Sequence, residues 1–239
     1  MALLLKFLPI MLAVGWIYWQ LTAHTRMSRE LRRNSKPLQD WQLVERIQTF
    51  SSALGGKPFE VRIFEFDQVN ALALPDGGVY ISSGLYEQYL RGGATRDEVA
   101  AVIAHEIGHV ALGHGQRRVE VGRAQMALLA TIGFLFGRLL FGWIGILASL
   151  GVGVFNSQTS RKQEFEADGF AAQLLMRTGV DPRATISMLE KVEKWGGAAP
   201  DQPIPFRWFM THPPISERIA WIRRVIDAGI PEQGRIPAG

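Results

Sequence analysis

Thr95-Arg96-Asp97-Glu98-Val99-Ala100-Ala101-Val102-Ile103-Ala104-His105-Glu106-Ile107-Gly108-His109 decides how the rest of the chain is read. Thr95 followed by Glu98 is a capping box, which starts a helix by satisfying two of its orphan backbone amides. His105 and His109 then stand at i and i+4, one above the other on one helix face. Two imidazoles so placed can bind one Zn²⁺, and Glu106 can reach the water that such a metal activates. Water acidified in this way is the nucleophile of zinc-dependent peptide hydrolysis.

Two histidines do not complete the site, because a catalytic zinc takes three protein ligands and keeps one position open. The remaining histidines are His24, His114 and His212. His114 follows His109 by five residues, about 140° around a continuous helix, and is read as a surface residue. It also misses the third-histidine position of the longer metzincin motif. His24 adjoins an apolar segment and reads as structural or solvated. A carboxylate on another helix fits better. Ser160-Arg161-Lys162-Gln163-Glu164-Phe165-Glu166-Ala167-Asp168 offers three acids, of which Glu164 and Asp168 share a face while Glu166 points away. One of the pair can bind zinc. The other can accept a hydrogen bond from a liganding imidazole, fixing its tautomer and raising its basicity. Without the His-Glu-Ile-Gly-His run the same acids would read as a solvated helix start, favoured by the helix dipole.

These two motifs, with Thr211-His212-Pro213-Pro214-Ile215-Ser216-Glu217-Arg218-Ile219, resemble the family forty-eight zinc metallopeptidases. The resemblance runs from about Val61 to Ile222. It implies one Zn²⁺ per chain held by His105, His109 and Glu164, with Asp168 orienting a ligand. It implies His212 and Arg218 near the substrate oxyanion. The plainer reading of Arg218 is a salt bridge with Glu217 or Asp227, and that of His212 is a cap before Pro213. Glu106 is expected to take the proton of the attacking water and return it to the leaving amine. Asn70 to Ile81 resembles the family's hairpin beside the cleft, with Asp76 where the family more often has glycine. The implied fold is α+β: a mainly helical zincin-like domain with a small antiparallel sheet against the histidine helix.

The remaining elements follow from periodicity. Trp41, Leu43, Val44, Ile47 and Phe50 predict a helix that Gly55-Gly56-Lys57-Pro58 ends. Phe59 to Phe66 alternates like a strand, and Val69 to Leu74 with Val79 to Ser82 predict a hairpin around Pro75-Asp76-Gly77-Gly78. Val79, Tyr80, Ile81 and Ser82, if a sheet edge, can pair with an extended peptide through the backbone. Such pairing is largely blind to sequence, so unfolded or extended polypeptides are the expected substrates. Further helices are predicted for Gly84 to Leu90, Ser160 to Arg177, Arg183 to Lys194 and Pro213 to Asp227.

Composition sets the outer limits. The chain has 239 residues and no cysteine, which excludes disulfides and thiolate ligands. Its net charge of +4 comes from scattered basic residues, so nucleic acid is not an expected partner. Ala2 to Leu21 is apolar apart from Lys6, Pro9, Gly15 and Gln20, close to the ~20 residues of a membrane span. Trp16, Tyr18 and Trp19 suit an interfacial belt, and Leu21-Thr22-Ala23 is a poor cleavage site, so an anchor fits better than a cleaved signal. Arg26, Arg29, Arg32, Arg33 and Lys36 follow the anchor and favour a cytoplasmic domain, with the periplasm as the alternative. The expected order is therefore an anchor over residues 1–23, a basic linker over 24–37, a metallopeptidase domain over 38–229 and a loose tail over 230–239. Within the domain, 124–155 is apolar, broken by Arg138 and six glycines, and is read as a hairpin buried or dipping into the membrane surface. A two-span hairpin is the other reading.

The function expected is a zinc endopeptidase at a bacterial-type inner membrane, acting on unfolded proteins in quality control, with membrane lipid as a further partner. The family's prenyl-protease branch needs a large multi-span chamber that this chain is too short to build. A catalytically silent, zinc-stabilised chaperone-like module is the alternative. Glu106 argues against it, since structural zinc needs no general base. The oligomeric state is not legible in the sequence.

Overall fold

Among the described residues, four short strands meet in one sheet. The strands are β1 (Ser35–Pro37), β2 (Val61–Phe64), β3 (Ala71–Ala73) and β4 (Val79–Ser82), in the order β1-β2-β4-β3. The structure is a computed structural model that describes residues 25–26, 28–56, 58–122, 124, 161–196 and 214–228. The expected anchor, the apolar hairpin beyond residue 124, the tail, His24 and His212 lie outside the described residues. No described helix is long and apolar enough to cross a membrane.

β3 and β4 form the predicted antiparallel hairpin. Its turn closes through the Leu74 amide donating to the Gly78 carbonyl and the Gly77 amide donating to the Leu74 carbonyl, each at 2.9 Å. Gly77 takes φ +90°, a conformation that favours glycine. The hairpin docks on β2 through β4, its second strand, and β2 and β4 run parallel. The sheet is therefore mixed, not antiparallel as expected. The same docking corrects the reading of Val79, Tyr80, Ile81 and Ser82. They are not an edge, because β2 and β3 flank them and all four are buried. The Ser82 hydroxyl instead accepts from the Asn70 amide at 2.9 Å and from the Leu85 amide at 3.1 Å, capping the next helix. The edge on this side is β3. At the other side, β1 falls inside the stretch read as a basic linker. Arg62 of β2 grips it, its Nε donating to Ser35 Oγ at 2.8 Å.

Helix α1 spans 28–33, α2 is Trp41–Ala53, α3 is Ser83–Leu90 and α4 is Arg96–Ala111. After a break at Gly113 come α5 (114–122), α6 (161–177), α7 (Arg183–Gly196) and α8 (Ile215–Asp227). α4 runs through the middle of the protein and is buried almost continuously from Glu98 to Gly108. Ile103 and Ile107 on it pack in one core with Phe50 of α2, Ile81 of β4 and Leu174 of α6. Ile186 and Leu189 of α7 hold Ile215 and Ile222 of α8 in a second cluster. Gly108 sets the distance to α6. A Cβ there would lie 3.2 Å from the Ala167 carbonyl oxygen and 3.2 Å from the Phe170 ring, tighter than side chains normally pack. The two motif helices thus touch backbone to backbone, which only glycine permits at no cost in displacement.

The capping box forms as predicted: the Glu98 amide donates to Thr95 Oγ1 at 3.2 Å and the Thr95 amide to Glu98 Oε2 at 2.6 Å. Glu98 does more than cap. Lys191 of α7 donates to its carboxylate at 2.7 Å, and Ser187 donates to its other oxygen. Burial alone would push the Glu98 carboxyl up, but Lys191, Ser187 and the Thr95 amide outweigh it and hold it below the usual 4.5. The folded value being depressed, this stability is complete above pH 4.5 and is lost as the pH falls through the lowered value. Glu98→Gln is expected to lower unfolding free energy by about 1–3 kcal/mol at neutral pH. Urea titrations of parent and variant should converge on acidification below the usual glutamate range. A difference that stays constant down to pH 3, or no difference at pH 7, would contradict this role.

Candidate metal centre

α4 presents His105 and His109 on one face, and α6 presents Glu164 and Asp168 on the facing turn. Their contact at Gly108 brings the four together. His105 Nε2 lies 3.1 Å from His109 Nε2, and each lies 3.3 Å from an oxygen of Glu164. The three side chains are buried and offer their donor atoms within 4.8 Å of one another.

Spacing and chemistry both fit zinc. Tetrahedral zinc bonds of about 2.0–2.1 Å put neighbouring ligand atoms about 3.3 Å apart. Two imidazoles and a carboxylate are a catalytic rather than a structural ligand set, since they leave a fourth position for water or substrate. The charges agree. Glu106, Glu164 and Asp168 are three buried acids beside one buried guanidinium, Arg218, so with the acids ionised and the imidazoles neutral, as a bound metal would leave them, a divalent cation brings the set to neutrality. Buried charge without such compensation is strongly disfavoured.

Asp168 does what the sequence leaves open between it and Glu164. Its Oδ1 lies 3.0 Å from His105 Nδ1, the ring nitrogen turned away from Glu164. Arg218 clamps it from behind, Nε donating to Oδ2 at 2.9 Å and Nη2 to Oδ1 at 2.6 Å. Arg218 is thus partnered by Asp168, not by Glu217 or Asp227, and its Nη1 lies 4.0 Å from Glu164. Burial would raise the Asp168 carboxyl, but Arg218 and His105 hold it down to about 2. Burial and the Arg218 charge lower the His105 imidazole, but Asp168 and Glu164 outweigh them and bring it up to about 9. The surplus of negative charge around His105 is what a cation would meet. His109, pulled down by burial to about 4, is a neutral imidazole, the form that ligates.

Glu106 is also buried. Burial, helped by Glu164, pushes its carboxyl up to about 7, although His105, Arg218 and the Ala73 amide pull it down. That Ala73 contact links the acid to the free edge of β3. Leu74 and Asn70 bond across to Gly78 and Ser82, so Leu72 bonds to Tyr80, and the backbone groups of Ala71 and Ala73 point away from β4.

His114 corrects another reading. It is 1% exposed, not a surface residue, and its Nδ1 lies 2.9 Å from His109 Nδ1. The 140° argument assumes a continuous helix. Gly113, at φ +67°, breaks it and turns His114 back. Glu166 points away from the other two acids, as expected, but meets His114 Nε2 at 3.1 Å.

Comparisons with known proteins agree with this geometry. The profile of peptidase family M48 matches residues 38–226. The metalloprotease LoiP of Escherichia coli K12 is 33% identical over 189 residues, covering 76% of this chain and 70% of LoiP. Protease HtpX of Pseudomonas fluorescens is 30% identical over 221 residues, covering 78% of this chain and 72% of HtpX. The crystal structure of S. mikatae Ste24p shares the fold, with a TM-score of 0.65 at 18% identity, over 88% of this chain and 56% of that one.

Proposed function

Since this chain belongs to peptidase family M48 and is a zinc metalloprotease, we propose that it is a membrane-associated endopeptidase that cleaves unfolded or extended polypeptides in protein quality control. The observation that carries the reading is the convergence of His105, His109 and Glu164, with Glu106 buried beside them. The apolar stretch Ala2 to Leu21 and its basic flank support the membrane anchor, at a bacterial-type inner membrane, with the domain on the cytoplasmic side.

The ion, when bound, polarises the scissile carbonyl and makes a neighbouring water more acidic. His105, His109 and Glu164 would hold it, and Asp168, on Nδ1 of His105, leaves that ring's Nε2 as the nitrogen offered for ligation. Glu106 takes the proton of the attacking water and hands it to the leaving amine. Buried beside the ligand set, Glu106 is placed to make both transfers. Arg218 holds Asp168 and lends positive potential to the site. His212 is assigned as the donor to the carbonyl oxygen as charge develops there. An extended substrate would pair with the outward backbone of β3, at Ala71 and at the Ala73 carbonyl, in place of β4. Backbone pairing of this kind selects for extended chain rather than for particular side chains.

Glu106→Gln is expected to keep its zinc and to lose casein cleavage by about 10²–10⁴-fold. Zinc content and turnover are measured on the same preparations, in detergent or reconstituted membranes. A variant that cleaves like the parent would remove Glu106 from the mechanism. Equal zinc with no cleavage by either protein would favour the silent zinc-stabilised module. For the strand, a short apolar peptide is compared with its copy N-methylated at alternate amides. The copy should be cleaved at least about tenfold less efficiently, since each main-chain hydrogen bond contributes ~0.5–1.5 kcal/mol. Equal kcat/KM would reject β3 as the docking edge.

A further inference from the structure

We propose that His114 is a positioning residue for the metal ligand His109, anchored in turn by Glu166. The inference rests on the zinc-site reading and concerns residues that neither ligate nor touch substrate. Its basis is that, with a cation on His109 Nε2, only one placement of protons satisfies the three side chains. His109 Nε2 faces His105 Nε2 at 3.1 Å and Glu164 at 3.3 Å, so it is the atom offered to the cation and carries no proton. The ring proton therefore sits on Nδ1, which lies 2.9 Å from His114 Nδ1. His114 Nδ1 must accept that bond. Its own proton then sits on Nε2, 3.1 Å from Glu166 Oε2, and is donated there. Tautomers follow from such networks, and with a cation on His109 Nε2 and His109 neutral no other placement satisfies every contact.

The result mirrors the other ligand. Asp168 orients His105 through Nδ1, and His114 orients His109 through Nδ1, so each imidazole has its own partner. The chain is shaped for this. The rings of His109 and His114 meet edge to face, with centroids 5.0 Å apart. Gly113 at φ +67° breaks the helix so that His114 turns inward. Gly115 lets the backbone pass the hairpin turn, where a Cβ would come 3.1 Å from Pro75 Cα. Gly113 stands just past the C-cap Leu112, where the positive φ that ends the helix favours glycine.

His114→Leu and His114→Asn separate positioning from packing. The two side chains have nearly the same shape, but Asn places an oxygen where Nδ1 stood and can accept from His109. The dissociation constant for zinc is measured on the full-length protein by competition with a chromophoric chelator. The visible spectrum of the Co²⁺-substituted forms reports the geometry. His114→Leu should bind zinc about tenfold to a hundredfold more weakly, with an altered cobalt spectrum. His114→Asn should stay close to the parent in both. A Leu variant that matches the parent, or Leu and Asn variants that weaken equally, would overturn the proposal while leaving the zinc site standing. His109→Ala serves as the control. If it binds zinc as the parent does, the zinc-site reading fails, and this inference fails with it.

Discussion

The metal centre depends on α4 and α6 touching at Gly108. Ligand atoms must come within about 3.3 Å of one another to share a zinc, so their helices cannot be separated by side chains at the crossing. Gly108 removes that separation, resting against Ala167 and Phe170. Ala167 lies between Glu164 and Asp168 in the sequence, so the closest point of the crossing falls beside both carboxylates. One turn of α4 away from the contact, the same two acids would face core or solvent. The glycine of the His-Glu-Ile-Gly-His run is thus as much a part of the site as its histidines.

That contact also concentrates charge in a dry interior. Glu106, Glu164, Asp168 and Arg218 are each at most 3% exposed. Such a group of ions is unfavourable unless its members compensate one another. Arg218 offsets one acid through two hydrogen bonds to Asp168, and a divalent cation offsets the rest. Core packing supplies the rigidity. α8 is held to α7 by Ile186, Leu189, Ile215 and Ile222, which fixes Arg218 behind Asp168. The sheet contributes from the opposite side, since its edge strand β3 lies along α4 and directs the Ala73 amide at Glu106.

Much of this was legible in the chain because it is local. The capping box, the i and i+4 histidines and the hairpin turn each depend on residues a few positions apart. What needed the structure depends on order in space. The turn at Pro75 to Gly78 tells that Val79 to Ser82 is one arm of a hairpin, but not which other strand lies alongside, so an interior strand read as an edge. His114 read as exposed because helical arithmetic holds only while the helix continues, and Gly113 ends it. Arg218 was expected near the substrate oxyanion, with a salt bridge to Glu217 or Asp227 as the plainer reading. Its partner, Asp168, is fifty residues away, and only the α6–α8 packing brings them together. Glu98 was legible as a cap but not as the anchor for Lys191.

The most direct test is zinc K-edge X-ray absorption on the purified full-length chain, with metal content measured on the same sample. The account predicts one zinc per chain in a shell of nitrogen and oxygen at about 2.0–2.1 Å, with the outer scattering of two imidazoles. It further predicts that His109→Ala and Glu164→Ala each deplete the zinc. A parent chain with no stoichiometric zinc, or zinc whose shell is the same in both variants, would contradict the convergence of His105, His109 and Glu164 on one ion.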